Sequence, residues 1–409
     1  MITEVVVMNK TGIALAADSV ISEYSDRGHK KRGNTGSQLF SISDVQPVGV
    51  MVYNNASLLG IPWETIITVF RESLGDTCFP RLEEYGFALI NFLKQHNTMF
   101  PIKAQQRYFL LNFQSVCIQV KNEVELLCAS SLVDDQRKAT LCAEIVQQQL
   151  LKLSNLDDAE GLSEQQANEF VSELPEEISA VVSKVFEPWP LEQESIDQLK
   201  QIAKLLVYKL DCENEMNSGL VIAGFGQQEF FPVMQTLVVT GKYCDVFKWK
   251  VSGGERIDNT NQALIKAFPD NRVVSGFLTG RYPELCLQEQ GLGRVVDALS
   301  TEFERLRTTL NDIKARKIPT ENLLYQLSRG ENLLAQYEFL VQSRVKEVLN
   351  ILATRPIAEL ARIARSLAQL SLIEQKLSLK INSLAKHIDV ALITKDDGFN
   401  WVNQSPQFA

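Results

Sequence analysis

Apolar and polar positions alternate with two different periods along this chain, and the two kinds of stretch are kept apart. Strand-like runs fall in three places. In residues 1–56, Val5-Val6-Val7 and the apolar run 13–17 flank a turn at Asn9-Lys10-Thr11-Gly12 and close on Asp18. Two short apolar runs joined by a Gly-containing turn predict a hairpin. A polar loop over 19–36 follows, then strands at 38–42 and 48–53. In residues 218–252 an apolar run ends at Gly224-Phe225-Gly226, and further strands are expected at 232–240 and 244–251. Ser252-Gly253-Gly254-Glu255 reads as a turn, and 261–268 as the beginning of a helix. The third place holds strand 388–394, the turn Lys395-Asp396-Asp397-Gly398 and strand 399–402, a second hairpin.

Between these runs the period is helical. After Pro62, Ile66, Ile67, Phe70 and Leu74 line one face, and a second helix is expected over 82–95. Residues 101–209 are almost wholly helical, with helices at 142–153 and 195–209. Ser163 and Gln166 form a capped start, and Pro188-Trp189-Pro190 a stop. Residues 292–384 are helical again, cut by Pro319 and Pro356, with Leu360, Ile363, Ala364, Leu367 and Leu370 at spacings of three and four. Segregated strands and helices predict a layered α+β body rather than alternating βαβ units. The expected division is a core from 1–100, 218–291 and 388–409, with helical insertions at 101–217 and 292–387 lying outside the sheets.

The 409 residues suffice for one large or two ordinary domains. A net charge of -9 argues against wholesale phosphate binding, so no nucleic-acid partner is expected. No apolar run reaches the ~18 residues of a membrane span, and no charged-then-apolar leader opens the sequence. The expected address is cytoplasmic, without membrane. Seven Cys and three His are scattered with no C-x-x-C, which predicts buried reduced thiols and no metal or other cofactor. Gly224-Phe225-Gly226 is not a phosphate loop, since Glu229 replaces the third Gly. His29-Lys30-Lys31-Arg32 is either a solvated loop or a substrate contact.

The first 56 residues resemble the opening of a proteasome β-type or HslV-like subunit, of the N-terminal-nucleophile (Ntn) hydrolase family. The resemblance covers about half of the chain: the sheet segments and the first two helices. It implies a four-layer αββα sandwich, with 101–217 and 292–387 as insertions. In that family a Thr at the mature N-terminus attacks an amide carbonyl while its own α-amine takes the proton. Matched by position, Thr3 falls near the nucleophile, Asp18 on the acid and Gln38 on the lysine that tunes the amine. The oxyanion segment falls on 49–53. The chain departs from the pattern in four ways, one being a Thr3-to-Asp18 spacing one residue shorter than the family's. Met1-Ile2 precede Thr3, Gln38 carries no charge, and Asn54-Asn55 stand where glycines are usual. The resemblance thus implies either a threonine-type peptidase or amidohydrolase acting on protein or peptide, or a silent scaffold, a pseudoenzyme whose helical insertions bind a protein partner. A homo-oligomeric ring is a further implication.

Overall fold

A computed structural model of the chain describes residues 4–18, 20–24, 30–35, 37–128, 135–187, 189, 191–269, 272–279, 342–377 and 387–404. The N-terminal hairpin forms as expected, from β1 (Glu4–Asn9) and β2 (Gly12–Asp18), every residue of both strands buried. A short hairpin, β3 (Val20–Tyr24) and β4 (Lys30–Thr35), occupies what reads in sequence as a polar loop. Then come β5 (Leu39–Ser41), β6 (Val48–Asn54) and the two-residue β7 (Ser57–Leu58) and β8 (Ile61–Pro62). Helices α1 (Trp63–Leu74) and α2 (Leu82–Gln95) follow. Five more helices build the next span: α3 (Ile102–Cys128), α4 (Asp135–Ser154), α5 (Glu164–Ser172), α6 (Pro175–Phe186) and α7 (Gln193–Tyr208). Ser163 and Gln166 make the anticipated capping box at α5. The remaining elements are β9 (Ser218–Gly224), β10 (Val233–Tyr243), β11 (Val246–Arg256), β12 (Ala263–Phe268), α8 (Arg272–Thr279), α9 (Ile357–Leu377), β13 (Ile388–Thr394) and β14 (Gly398–Asn403).

The strands form two antiparallel five-stranded sheets, ordered β12-β1-β2-β13-β14 and β11-β10-β9-β6-β5. This is a mixed α+β body. Side chains alternate along each strand, and the alternation sorts the core. Val6, Met8, Leu15 and Ala391 of the first sheet share an apolar layer with Met51, Val221 and Met234 of the second. The opposite face of the first sheet, with Val5, Val7, Ala14 and Ala16, packs on Leu360, Ala364 and Leu367 of α9. The opposite face of the second sheet, with Val50, Leu220 and Leu237, packs on Ile66, Leu89 and Phe113 of α1, α2 and α3. The α3–α7 helices continue that last cluster outward. The span 292–387, read above as an insertion, contributes α9, which lies on β1, β2 and β13. Among the described residues no helix is long and apolar enough to cross a membrane.

Two local readings are corrected. Residues 263–268 form a strand, not a helix, because they pair with the whole of β1, from Glu4 opposite Phe268 to Asn9 opposite Ala263. Long-range pairing here outweighs local propensity. Ser252-Gly253-Gly254 is not a turn but part of β11. Thr236 faces Gly253 and Leu237 faces Val251, so Ser252 is the extra residue of a bulge.

One polar side chain ties the hairpin to the helices. Asn9 is fully buried; its Oδ1 accepts the Thr11 N–H (2.8 Å) and hydroxyl (2.7 Å), which sets the turn. Its Nδ2 donates to the carbonyls of Leu352 and Arg355, both at 2.9 Å, where the helical run 342–353 ends. Asn9→Ala leaves those partners unsatisfied and should lower stability by about 1–3 kcal/mol in urea denaturation. Thr11→Ala, which removes only one part-buried hydroxyl bond of an exposed side chain, should lower it by well under half as much.

Candidate functional site

Where β1 begins, β2 ends and β13 begins, acidic side chains stand inside the body. Glu4 and Asp18 are each 2% exposed, Asp389 is 0%, and Gln38, immediately before β5, is 6%. The ladders show how they are placed. Asp389 lies opposite Ala17, and Val5 opposite Ala16, so the next step of the same register sets Glu4 on the other side of Ala17. With neighbouring strands about 4.8 Å apart, the α-carbons of Glu4 and Asp389 are about 10 Å apart. Ala17 belongs to the layer between the sheets, so this pair faces that layer. Asp18 is one residue on and turns to the opposite face, the one covered by α9. Gln38 comes from the second sheet, where its carbonyl accepts the Val52 N–H at 2.9 Å, and β5 touches both β2 and β13.

Tyr53 forms the wall of the second sheet at this end. Its ring stacks on Phe268 with centroids 5.3 Å apart and lies directly over Gly219, its partner across the ladder. A methyl group at 219 would overlap the ring. Burial, and then the Glu4 carboxylate, push the Tyr53 phenol up to about 12. The next residue, Asn54, has φ +68°. The left-handed conformation that glycine would adopt there is thus taken by Asn, the residue that tolerates it best after Gly.

The segment 49–53 is not a free row of oxyanion donors. It is paired with β9 along its length and with β5 over Gly49, Val50 and Met51. Beyond the strand, the Asn55 N–H goes to the Asn217 carbonyl at 3.3 Å and the Ser57 N–H to Asn55 Oδ1 at 3.2 Å. Of the residues predicted from sequence, Asp18 and Gln38 are both buried at this end, and Thr3 lies outside the described residues. Lys30 and Lys31 stand on β4. Sequence reasoning missed Glu4 and Asp389. The available signal was a lone acid at an inward position of an otherwise apolar strand.

Among the described residues no group of three or more His, Cys, Asp or Glu side chains could hold a metal ion. Six cysteines are free thiols; Cys117 and Cys142 are buried, which pushes both thiols up, Cys142 to about 11. Cys286 lies outside the described residues. Cys117 and Cys142 are inert core thiols rather than nucleophiles, while Cys78, Cys128, Cys212 and Cys244 are only partly buried.

A buried cation does exist in the second sheet, at Lys248. Burial pulls its ammonium down from 10.5 to about 7. Its Nζ donates to the carbonyls of Leu206 (2.8 Å) and Lys209 (2.6 Å), so it caps the end of α7. Between pH 7 and 10.5 the unfolded chain holds this proton and the folded chain does not, so folding gains as pH rises from 7 toward 10.5, and below 7, where both states hold the proton, the dependence levels off. Urea titrations across pH 7–10 should show the unaltered protein gaining stability relative to Lys248→Met. A difference independent of pH would refute the depressed value.

In comparison with known proteins, no protein-family model matches the chain and no curated protein does.

Proposed function

We propose that the chain is an Ntn-hydrolase-like protein of the proteasome β and HslV type, its layers forming an αββα sandwich, with an amide-hydrolysing site at the head of β1. One observation carries this reading. Glu4, Asp18, Asp389 and Gln38, from four separate segments, are buried at the end of the sheets where β1 begins, Glu4 and Asp389 toward the layer between the sheets and Asp18 toward α9. Removing carboxylates from water is costly unless they are held by partners, and such groups gather where chemistry is done. In this reading the Thr3 hydroxyl attacks a peptide or other amide carbonyl and the Thr3 α-amine accepts the proton. Asp18 orients the amine. Gln38 supplies hydrogen bonds but no charge, and a free α-amine, with an ordinary pKa of about 7.7–8.0, is serviceable for a general base.

The reading requires Met1-Ile2 to be removed, so intact mass of the purified chain is the first measurement. The expected product begins at Thr3. Thr3→Ala should abolish turnover of a peptide-amide library, and Asp18→Asn should reduce it on the order of 10²-fold. Gln38→Lys should raise the rate by restoring a cation beside the amine.

A second reading is favoured by the backbone amides of 49–53, Asn55 and Ser57, which are engaged within the fold. It is a silent scaffold whose helices α3–α7 engage a protein partner. A mature chain that keeps Met1-Ile2 and turns over no amide selects this second reading and overturns the first.

A further inference from the structure

The two sheets leave a rim open. β14 ends the first sheet and β5 ends the second, and among the described residues neither pairs with a further strand. Between these edges lies a groove of about 620 Å³, walled by β5, the 43–47 loop, α1, the β13–β14 turn and β14. An edge strand presents N–H and C=O groups that an extended peptide can pair with, joining the sheet. β14 is the longer of the two edges, six residues against three.

The aromatic wall of the groove is held in place. Phe399 lies against Gly49, where a methyl group would overlap its ring, and so fixes β14 over the second sheet. The Trp401 ring meets Phe399 edge-on, with centroids 5.5 Å apart. Both rings are half-buried at the margin of the layer between the sheets, and with Phe40 they line the groove. The Trp401 indole N–H makes no hydrogen bond among the described residues. An indole withdrawn from water ordinarily finds an acceptor, and the carbonyl of an added strand is one.

Charge gives the groove a sign. Its acids are Asp44, Glu64, Asp396 and Asp397, and its bases Arg71 and Lys395. The bases are engaged. Arg71 stands 3.6 Å from Asp44. Lys395 donates to the Glu229 carbonyl at 2.7 Å and lies 5.0 Å from the centre of the Phe230 ring, both outside the lining. Asp397 accepts the Thr394 hydroxyl within its own turn. Glu64 and Asp396 are exposed and form no ion pair among the described residues. Open carboxylates beside aromatic rings suit a guanidinium or ammonium group.

We propose that this groove binds an extended basic peptide. Its backbone pairs with the open edge of β14, its apolar side chains rest on Phe40, Phe399 and Trp401, and its arginine or lysine side chains reach Glu64 and Asp396. Side chains of a strand alternate, so apolar and basic residues in alternation suit the two kinds of wall. The surface is distinct from the buried carboxylates at the head of β1. Binding needs no turnover, so the outcome does not depend on Thr3.

Fluorescence anisotropy of the full chain with a labelled Arg-Val-Arg-Val-Arg peptide tests it. The Glu-Val-Glu-Val-Glu counterpart should bind at least roughly tenfold more weakly, because charge complementarity selects the partner. Alternate N–H groups of a strand point to opposite sides. Peptides N-methylated at the two Val or at the two inner-edge Arg positions should therefore differ in affinity by roughly tenfold, only one of them losing its bonds to β14. E64Q/D396N should weaken the basic peptide about threefold or more. Both side chains are exposed, so this variant should melt like the parent. If it does not fold, Trp401→Phe, which keeps a ring and removes the indole N–H, must weaken binding instead. The proposal is overturned if the basic peptide does not bind, if the acidic one binds equally well, or if the two N-methylated peptides bind alike. It is also overturned if acetyl-arginine amide displaces the peptide at concentrations near the peptide's own, or if the folded variant keeps the parent's affinity.

Discussion

The register of β2 between β1 and β13 is the constraint on which the rest of the molecule depends. Val5 opposite Ala16 and Asp389 opposite Ala17 fix three strands at once. Because side chains alternate, a slip of one residue would exchange every inward group for an outward one. Ile13, Leu15 and Ala17 would leave the layer between the sheets, and Ala14 and Ala16 would lose α9. Glu4 and Asp389 share their row with Ala17 and would no longer face each other across it. The Asn9 turn stands at the other end of the hairpin and holds the same register against the helical layer.

Polar groups of opposite sign stand on either side of the second sheet near the end of β6. Carboxylates occupy the interior at the head of β1, while Lys103 and Arg107 line a space against α3. The link between them is the corner after β6. Tyr53 belongs to the layer between the sheets, Asn54 takes a positive φ, and the buried Asn55 side chain donates to the Met216 carbonyl. Close approach of Tyr53 to the bare backbone of Gly219 lets this corner sit tightly against β9.

Much of the architecture was legible in sequence where one local rule decided the element. Asn9-Lys10-Thr11-Gly12 and Lys395-Asp396-Asp397-Gly398 are turn chemistry, and each produced its hairpin. The Ile66, Ile67, Phe70, Leu74 face produced α1. Legibility failed where a distant partner decided. Residues 263–268 carry no strand signal strong enough to overcome a helical reading, and only β1 makes them a strand. Gly253-Gly254 reads as a turn because a bulge and a turn use the same residues. The heptad-like pattern at Leu360, Ala364 and Leu367 announces a helix with an apolar face but says nothing of which surface that face covers. Of the candidate site, Asp18 was visible from its place at the end of β2. Glu4 and Asp389 were not, because a single acid beside Val5-Val6-Val7 resembles a solvated strand end until the opposing strand is known.

The sheet order has a consequence for how the chain reaches its final form. β2 is an interior strand, yet the neighbour that closes it, β13, begins at Ile388. During synthesis this hairpin, which ends at Asp18, emerges about 370 residues ahead of β13, which begins at Ile388, and until then has an open edge. Its apolar faces await β12, β13 and α9 for on the order of tens of seconds at ordinary elongation rates. Exposed ladder edges invite pairing with other chains. The nascent protein therefore passes through a long interval of vulnerability to misassembly, which lasts until β13 arrives.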